Sequence, residues 1–288
     1  MPTNAQRREA AKRKLDRQLA RRAERAKARR RRYTVAGGVA AVVLVVGIVA
    51  LTLTLRHRDQ RAGTTAKPAT SASTSAAAPN HKPVTAPVRP KPLPASVDCQ
   101  YPATQQPSAR RVRPPLAGST SARGTAQVTL HTSAGTMGLT LDRALAPCTV
   151  NSFLSLAQQG FYANSPCHRL VTDPGLHVLQ CGDPTGSGTG GPGYTIPDEV
   201  FPELTYGRGL VAMANTGQPD SGGSQFFLIY GQTQLPPRYT VFATISATGL
   251  KALDRIAKAG DDGSLEPSPG GGKPITPVTI TSVDVTAT

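Results

Sequence analysis

The sequence predicts an all-β-dominated domain, a barrel or sandwich of short strands with two helical caps, carried behind one apolar helix and a low-complexity stalk. Two observations predict the domain. Apolar–polar alternation recurs in short runs after Gly124, and two stretches there carry helical spacing. A third observation, the 22-residue uncharged run from Thr34 to Leu55, predicts a membrane anchor.

In chain order, residues 1–32 come first, with fourteen Lys/Arg against Glu9, Asp16 and Glu24, a net charge of +11. Good helix formers (Ala, Leu, Arg, Lys) fill this tail. It reads as a cytoplasmic topology signal, with anionic lipid or nucleic acid as the alternative partners of the tail. Residues 33–55 are then expected to form a transmembrane helix. At ~1.5 Å per residue Thr34–Leu55 spans about 33 Å, enough for a bilayer core of ~30 Å. Only Arg56, Arg58, Arg61 and Lys67 follow closely, so the bias of positive charge places the N-terminus in the cytoplasm and residues 56–288 outside. A cleaved signal peptide is the alternative. It calls for a shorter apolar region and a small-residue cleavage site, where this chain has Arg56-His57-Arg58.

Residues 56–122 are dominated by Pro, Ala, Ser and Thr and carry +8 with residue 33 onward. So few apolar side chains do not offset ordering entropy, and the prolines favour extended conformations, so this linker is expected to be a semi-rigid spacer. Residues 123–288 carry nine Lys/Arg against twelve Asp/Glu, a net −3. The mildly acidic domain argues against a nucleic-acid-binding face on it.

Within the domain, Ala126–His131 and Thr136–Leu141 alternate around Thr132-Ser133-Ala134-Gly135, a hairpin signature. Pro147-Cys148-Thr149 introduces a helix over 150–159, with Val150, Phe153, Leu154 and Ala157 on one face and Gly160 as the stop. Further strands are expected at Cys167–Val171, His177–Cys181, Gly209–Ala214, Phe226–Tyr230, Tyr239–Ser246 and Ile275–Val285. A second helix over 249–260 places Leu250, Leu253, Ile256 and Ala257 on one side.

Five segments in this order resemble the cyclophilin family: Cys167–Val171 (CHRLV), Leu179–Asp183 (LQCGD), Gly186–Gly191 (GSGTGG), Gly209–Asn215 (GLVAMAN) and Gly223–Leu228 (GSQFFL). Each is weak alone, but order and spacing agree over about 160 residues. The resemblance implies an eight-stranded antiparallel barrel capped by two helices. It also implies peptidyl-prolyl cis-trans isomerisation, without metal or cofactor, of proline-containing polypeptides. The imide barrier is ~20 kcal/mol, and a catalyst must bind the twisted imide better than either planar form. Arg169 matches the family's catalytic arginine, donating to the pyramidal proline nitrogen or polarising the neighbouring carbonyl. Gln180 is expected to bind the substrate backbone and help hold Arg169. The backbone of Asn215 is expected to pair with the substrate as an added strand. Phe227, with Val178 and Leu235, is assigned to the pocket for the proline ring, and Ala214 and Gln225 to the adjoining groove.

Departures from the family pattern stand between Leu170 and Leu179, where the turn is about three residues longer than usual. His177 falls where a Phe normally walls the pocket; an imidazole supplies that wall with less apolar area, or else points to solvent, so a changed substrate preference is expected. Gln234 occupies the position often held by Trp, which predicts weak cyclosporin binding, and Tyr239 replaces a frequent His with its hydroxyl as a donor.

Gly186–Gly191 also matches G-x-G-x-x-G, but Pro192-Gly193-Tyr194 follows where a dinucleotide site needs a helix. His57, His81, His131, His168 and His177 lack metal-ligand spacing, and His168 reads as a buried, hydrogen-bonded barrel residue. Cys99, Cys148, Cys167 and Cys181 all fall on the expected outer side, which points to two disulfides in one of three connectivities, with buried free thiols as the alternative. A bridge from Cys99 straps the end of the stalk onto the barrel. The competing function is a non-catalytic scaffold or chaperone that holds proline-containing segments at the membrane; such a scaffold has no need of Arg169 and Gln180 together.

Overall fold

The computed structural model describes residues 82–287. The expected tail 1–32, membrane helix 33–55 and first part of the linker, 56–81, lie outside these residues. Among the described residues, no helix is long and apolar enough to cross a membrane.

The strands are β1 (Ser96–Cys99), β2 (Gly118–Ser121), β3 (Thr125–Thr132), β4 (Gly135–Asp142), β5 (Ser165–Pro166), β6 (Arg169–Val171), β7 (Val178–Cys181), β8 (Leu210–Met213), β9 (Phe226–Ile229), β10 (Val241–Ile245) and β11 (Thr279–Ala287). Helix α1 (Pro147–Gln158) follows β4, and α2 (Ala247–Ala259) follows β10. The alternation read in the sequence folds as expected into the β3–β4 hairpin, paired from Thr125↔Asp142 to Thr132↔Gly135.

Beside the separate pair β1–β2, the main sheet has nine ladder segments in the order β5-β11-β3-β4-β10-β8-β9-β7-β6. Its two ends, β5 and β6, are consecutive in the chain, and between them the Cys167 amide donates to Val278 O at 2.8 Å. They are therefore two halves of one strand, which pairs with β11 on one side and β7 on the other. Counted that way the sheet closes on itself as an antiparallel barrel of eight strands, which leaves no free edge. Inside it Phe153, Tyr162, Phe226 and Phe242 form an aromatic cluster with ring centroids 4.9–5.7 Å apart. These four rings supply much of the apolar area that a chain without Trp must find.

Helix α1 begins three residues before the expected span, with Pro147 in its first turn. Ala146 offers no side-chain cap. Instead the Glu199 carboxylate accepts from the amides of Cys148 at 2.9 Å and Thr149 at 2.8 Å. A negative group thus sits at the positive end of the helix, supplied from a distant loop. Burial pushes the Glu199 carboxyl above the usual carboxylate range, against the pull of those two amides and of Arg89. Helix α2 is capped locally, with Ser246 Oγ accepting from the Gly249 amide at 3.1 Å.

One expectation is corrected. The linker read as a spacer through residue 122 is, from residue 82 on, an arm fastened to the barrel. The Val84 amide donates to Arg208 O at 2.9 Å, and Arg89 Nε donates to Leu145 O at 2.9 Å. Tyr101 is buried and its hydroxyl donates to Cys148 O at 3.2 Å. Arg110 reaches the carbonyls of Gly160 and Phe161 at 2.9 and 2.8 Å, just past the C-terminus of α1, where a cation is favoured. Strand β2 returns antiparallel to β1. Composition concealed this because it measures apolar burial. The arm is held by backbone and guanidinium hydrogen bonds, which need few apolar side chains.

All four cysteines pair, as Cys99–Cys148 and Cys167–Cys181. The first ties the arm to α1, the strap expected of a bridge from Cys99. It closes 49 residues of sequence, which in the chain-entropy treatment is worth about 4 kcal/mol.

Candidate active site

The site grows out of the strand register. Arg169 on β6 is opposite Gln180 on β7, Gln180 is opposite Phe227 on β9, and Phe227 is opposite Ala212 on β8. Cross-strand partners project on the same face of a sheet, so Arg169, Gln180 and Phe227 form one row. Alternation along β9 sends the neighbouring Phe226 the other way, into the aromatic core.

Arg169, Gln180, Val178, Ala214, Asn215 and Phe227, together with Leu235 and Tyr239, line one cavity of about 540 Å³. Phe227 packs edge-on against Tyr239 at 5.5 Å and is 5% exposed. The predicted site is therefore assembled, apart from two residues. Gln225 belongs to a neighbouring cavity and touches this one through Gln180. His177 is absent from the lining.

His177 is the second correction. Its ring packs edge-on against Tyr230 at 5.6 Å, and its Nδ1 lies 2.7 Å from Gln232 O. Counting back by two from Gln180 explains this: Val178 and Leu176 share its face, whereas 177 falls on the other. Leu176 accordingly lines the cavity in place of His177. The long turn between β6 and β7 is held by the Gln234 amide donating to Gly175 O at 2.7 Å. His168 is also corrected: it borders the cavity, and its buried Nδ1 has no partner among the described residues, so it is not the hydrogen-bonded barrel residue expected. Burial lowers its pKa, favouring the neutral ring.

The Arg169 guanidinium is fixed from three sides. Its Nε donates to Gly270 O at 2.9 Å, one Nη to Gln180 Oε1 at 3.3 Å, and the other to Pro269 O. Three of its five N–H donors are thus used, leaving two for a ligand in the cavity. Burial pulls the Arg169 pKa down, while Tyr239, Asp173 and Glu266 oppose that.

Behind the arginine runs a chain of amides. Gln180 Nε2 donates to Gln225 Oε1 at 2.9 Å, and Gln225 Nε2 donates to the carbonyls of Gly188 and Gly190 at 2.9 and 3.0 Å. That glycine loop is the G-x-G-x-x-G of the sequence, and its anchor is the fully buried Asp183. The Asp183 carboxylate accepts from the amides of Thr185, Gly188 and Gly190 at 2.8–3.0 Å and from the Thr185 hydroxyl at 2.7 Å. A side chain at 190 has no room, because a Cβ there would overlap Asp183 Oδ1. Asn215 is held by its side chain, with Nδ2 donating to Arg238 O at 2.8 Å and Oδ1 accepting from the Gly217 amide at 3.0 Å. Its backbone amide and carbonyl carry no hydrogen bond among the described residues.

Leu265, Pro269 and Gly270 went unread in the sequence. Their segment, LEPSPGGG over 265–272, looks like a loop of no consequence, and only folding brings it to Arg169, about a hundred residues away in sequence.

A family model described as cyclophilin type peptidyl-prolyl cis-trans isomerase/CLD matches residues 127–285. The chain belongs to the cyclophilin family. Among relatives of this cyclophilin, the probable peptidyl-prolyl cis-trans isomerase B of Mycobacterium tuberculosis is 49% identical over 199 residues, 65% of this chain and 63% of the relative. The match thus spans less than two thirds of that protein's length. Peptidyl-prolyl cis-trans isomerase A of the same organism is 37% identical over 179 residues, 56% of this chain and 92% of the relative. A crystal structure of a cyclophilin type peptidyl-prolyl cis-trans isomerase from Cryptosporidium parvum superposes with a TM-score of 0.50 at 30% identity, covering 57% of this chain and 99% of that one.

Proposed function

We propose that this cyclophilin catalyses rotation about X-Pro bonds in exported or cell-envelope polypeptides, and that Arg169 carries the catalysis. The observation behind this reading is a guanidinium clamped by Gln180 and the 269–270 carbonyls, with two N–H groups left over, on the rim of an apolar cavity walled by Phe227, Val178 and Leu235. A proline ring in that cavity presents its imide to the guanidinium. Twisting the C–N bond removes amide resonance, so the nitrogen gains a lone pair and the carbonyl loses conjugation. A fixed donor meets that developing charge without reorganising, so the twisted state is bound more tightly than either planar one. No covalent bond forms or breaks. The free backbone of Asn215 suits pairing with the extended substrate chain.

The uncharged run from Thr34 to Leu55 supports the outer-face topology, in which the bilayer is a second partner. Cyclosporin is expected to bind weakly, since Gln234 is exposed and offers no indole. The deciding experiment is a protease-coupled assay on an X-Pro peptide with the full chain and with Arg169→Ala. A loss of about a hundredfold in kcat/KM is expected for Arg169→Ala. Equal acceleration by the two proteins would take the catalysis away from Arg169, and no acceleration by the full chain, with peptide binding retained, would instead support the non-catalytic scaffold.

A further inference from the structure

Beside the arginine cavity lies a second one of about 490 Å³. The two share Gln180, Gly188, Ala214 and Asn215, so a chain paired along the free backbone of Asn215 borders both. One wall of the second cavity comes from the arm, through Thr104, Gln106 and Pro107. The arm is held there by backbone pairing. The Thr104 amide donates to Gly193 O at 2.9 Å, the Thr195 amide to Pro102 O at 3.0 Å, and the Ala109 amide to Gly191 O at 2.8 Å. Gln106 Nε2 adds a bond to Thr189 O at 2.8 Å. No charged side chain lines the cavity, whereas backbone carbonyls, hydroxyls and amides are plentiful.

We propose that residues 104–107 of the arm are part of the substrate-binding surface, and that through this second cavity they select an uncharged polar side chain beside the proline. The inference rests on the isomerase reading above. It makes the substrate site a composite of barrel and arm. A charged substrate side chain entering the cavity loses water without gaining a counter-charge, whereas Gln, Asn, Ser or Thr finds partners for its donors and acceptors.

The test uses the full chain and a peptide series carrying one Lys, Glu or Gln at each of the three positions before and after the proline. In the wild-type protein, Gln is expected to give the highest kcat/KM at the position that enters the cavity. Gln106→Glu should raise the Lys-to-Glu ratio of kcat/KM there by roughly two- to fivefold, the range of a solvent-accessible ion pair. Thr104→Lys should lower the same ratio at the same position. Both residues are exposed; Gln106→Glu gives up the bond to Thr189 O and Thr104→Lys the hydroxyl bond to Gln106 O, while the backbone pairing that holds the arm is kept. Leu116→Glu puts the same charge on the arm at a residue 92% exposed and outside the cavity, and should leave the ratio unmoved. An unmoved ratio with Gln106→Glu at all six positions overturns the inference, as does an equal shift with Leu116→Glu. A wild-type chain that accelerates none of the peptides sinks the isomerase reading itself. Wild-type acceleration with an unmoved ratio sinks the role of the arm alone.

Discussion

Arg169 and Gln180 are direct cross-strand partners on β6 and β7, and an Arg169 Nη donates to Gln180 Oε1 at 3.3 Å. The Cys167–Cys181 bridge spans the same two strands, one residue beyond Gln180 and two before Arg169. The Arg169 guanidinium and the residue that positions it are therefore locked in register by backbone, side chain and disulfide together.

Gln180→Ala removes one of three holds on the guanidinium and breaks the amide chain to Gln225. The expected loss in kcat/KM is about tenfold, the worth of one hydrogen bond to a charged group. It should fall mainly on kcat, because the donor is retained but less well aimed. Steady-state kinetics with an X-Pro peptide check this, and a loss confined to KM would speak against a positioning role.

Asp183 predicts an acid-sensitive fold. Burial raises its pKa, but the donors of Thr185, Gly190 and Gly188 together outweigh that and hold the carboxyl below the usual range. A group with a depressed native pKa contributes stability above its unfolded value, near ~3.9, and loses it as pH falls through the native value. Asp183→Asn should therefore lower the urea midpoint at pH 7 and flatten the further decline below about pH 4. Parallel acid limbs for the two proteins would show that Asp183 is not the linked group.

His177→Phe restores the family's residue at a position that faces away from the cavity. Activity should stay within about twofold of wild type, whereas Leu176→Ala opens the cavity wall and should lower kcat/KM by roughly five- to twentyfold, the cost of a lost aliphatic contact. A large gain with His177→Phe would mean that the ring enters the cavity when substrate is bound.

Replacing Cys99 and Cys148 together by Ser should cost about 2–4 kcal/mol in unfolding free energy. The arm, left with its hydrogen bonds and the buried Tyr101, should become sensitive to limited proteolysis between residues 99 and 118 while the barrel persists. Unchanged protease resistance would show that Arg89, Tyr101 and Arg110 hold the arm unaided.

Much of this was legible in the sequence. Two-residue alternation marked β3 and β4, the apolar face of 249–260 marked α2, and five short segments located Arg169, Gln180, Asn215 and Phe227. What escaped has a common physical origin. The arm, the Glu199 cap on α1 and the 265–272 loop are all held by hydrogen bonds to backbone groups far away in sequence, and such bonds leave no periodic or compositional trace. His177 escaped for another reason: the family resemblance fixes its position in the sequence, but three residues before Gln180 along the same strand direction falls on the opposite face.

The fastening of the arm at Val84 also bears on how the chain transmits force. In the proposed topology, the covalent tether after Leu55 runs to residue 84 rather than to residue 123, so its greatest reach falls from about 240 Å to about 100 Å. A pull along it is met first by the Val84–Arg208 hydrogen bond and the Arg89 fork, and then by the Cys99–Cys148 bridge, before it reaches β3. Tension on such a tether would be taken up at Arg208, Leu145 and α1 rather than at β3, and the wall of the second cavity at residues 104–107 lies beyond that covalent stop.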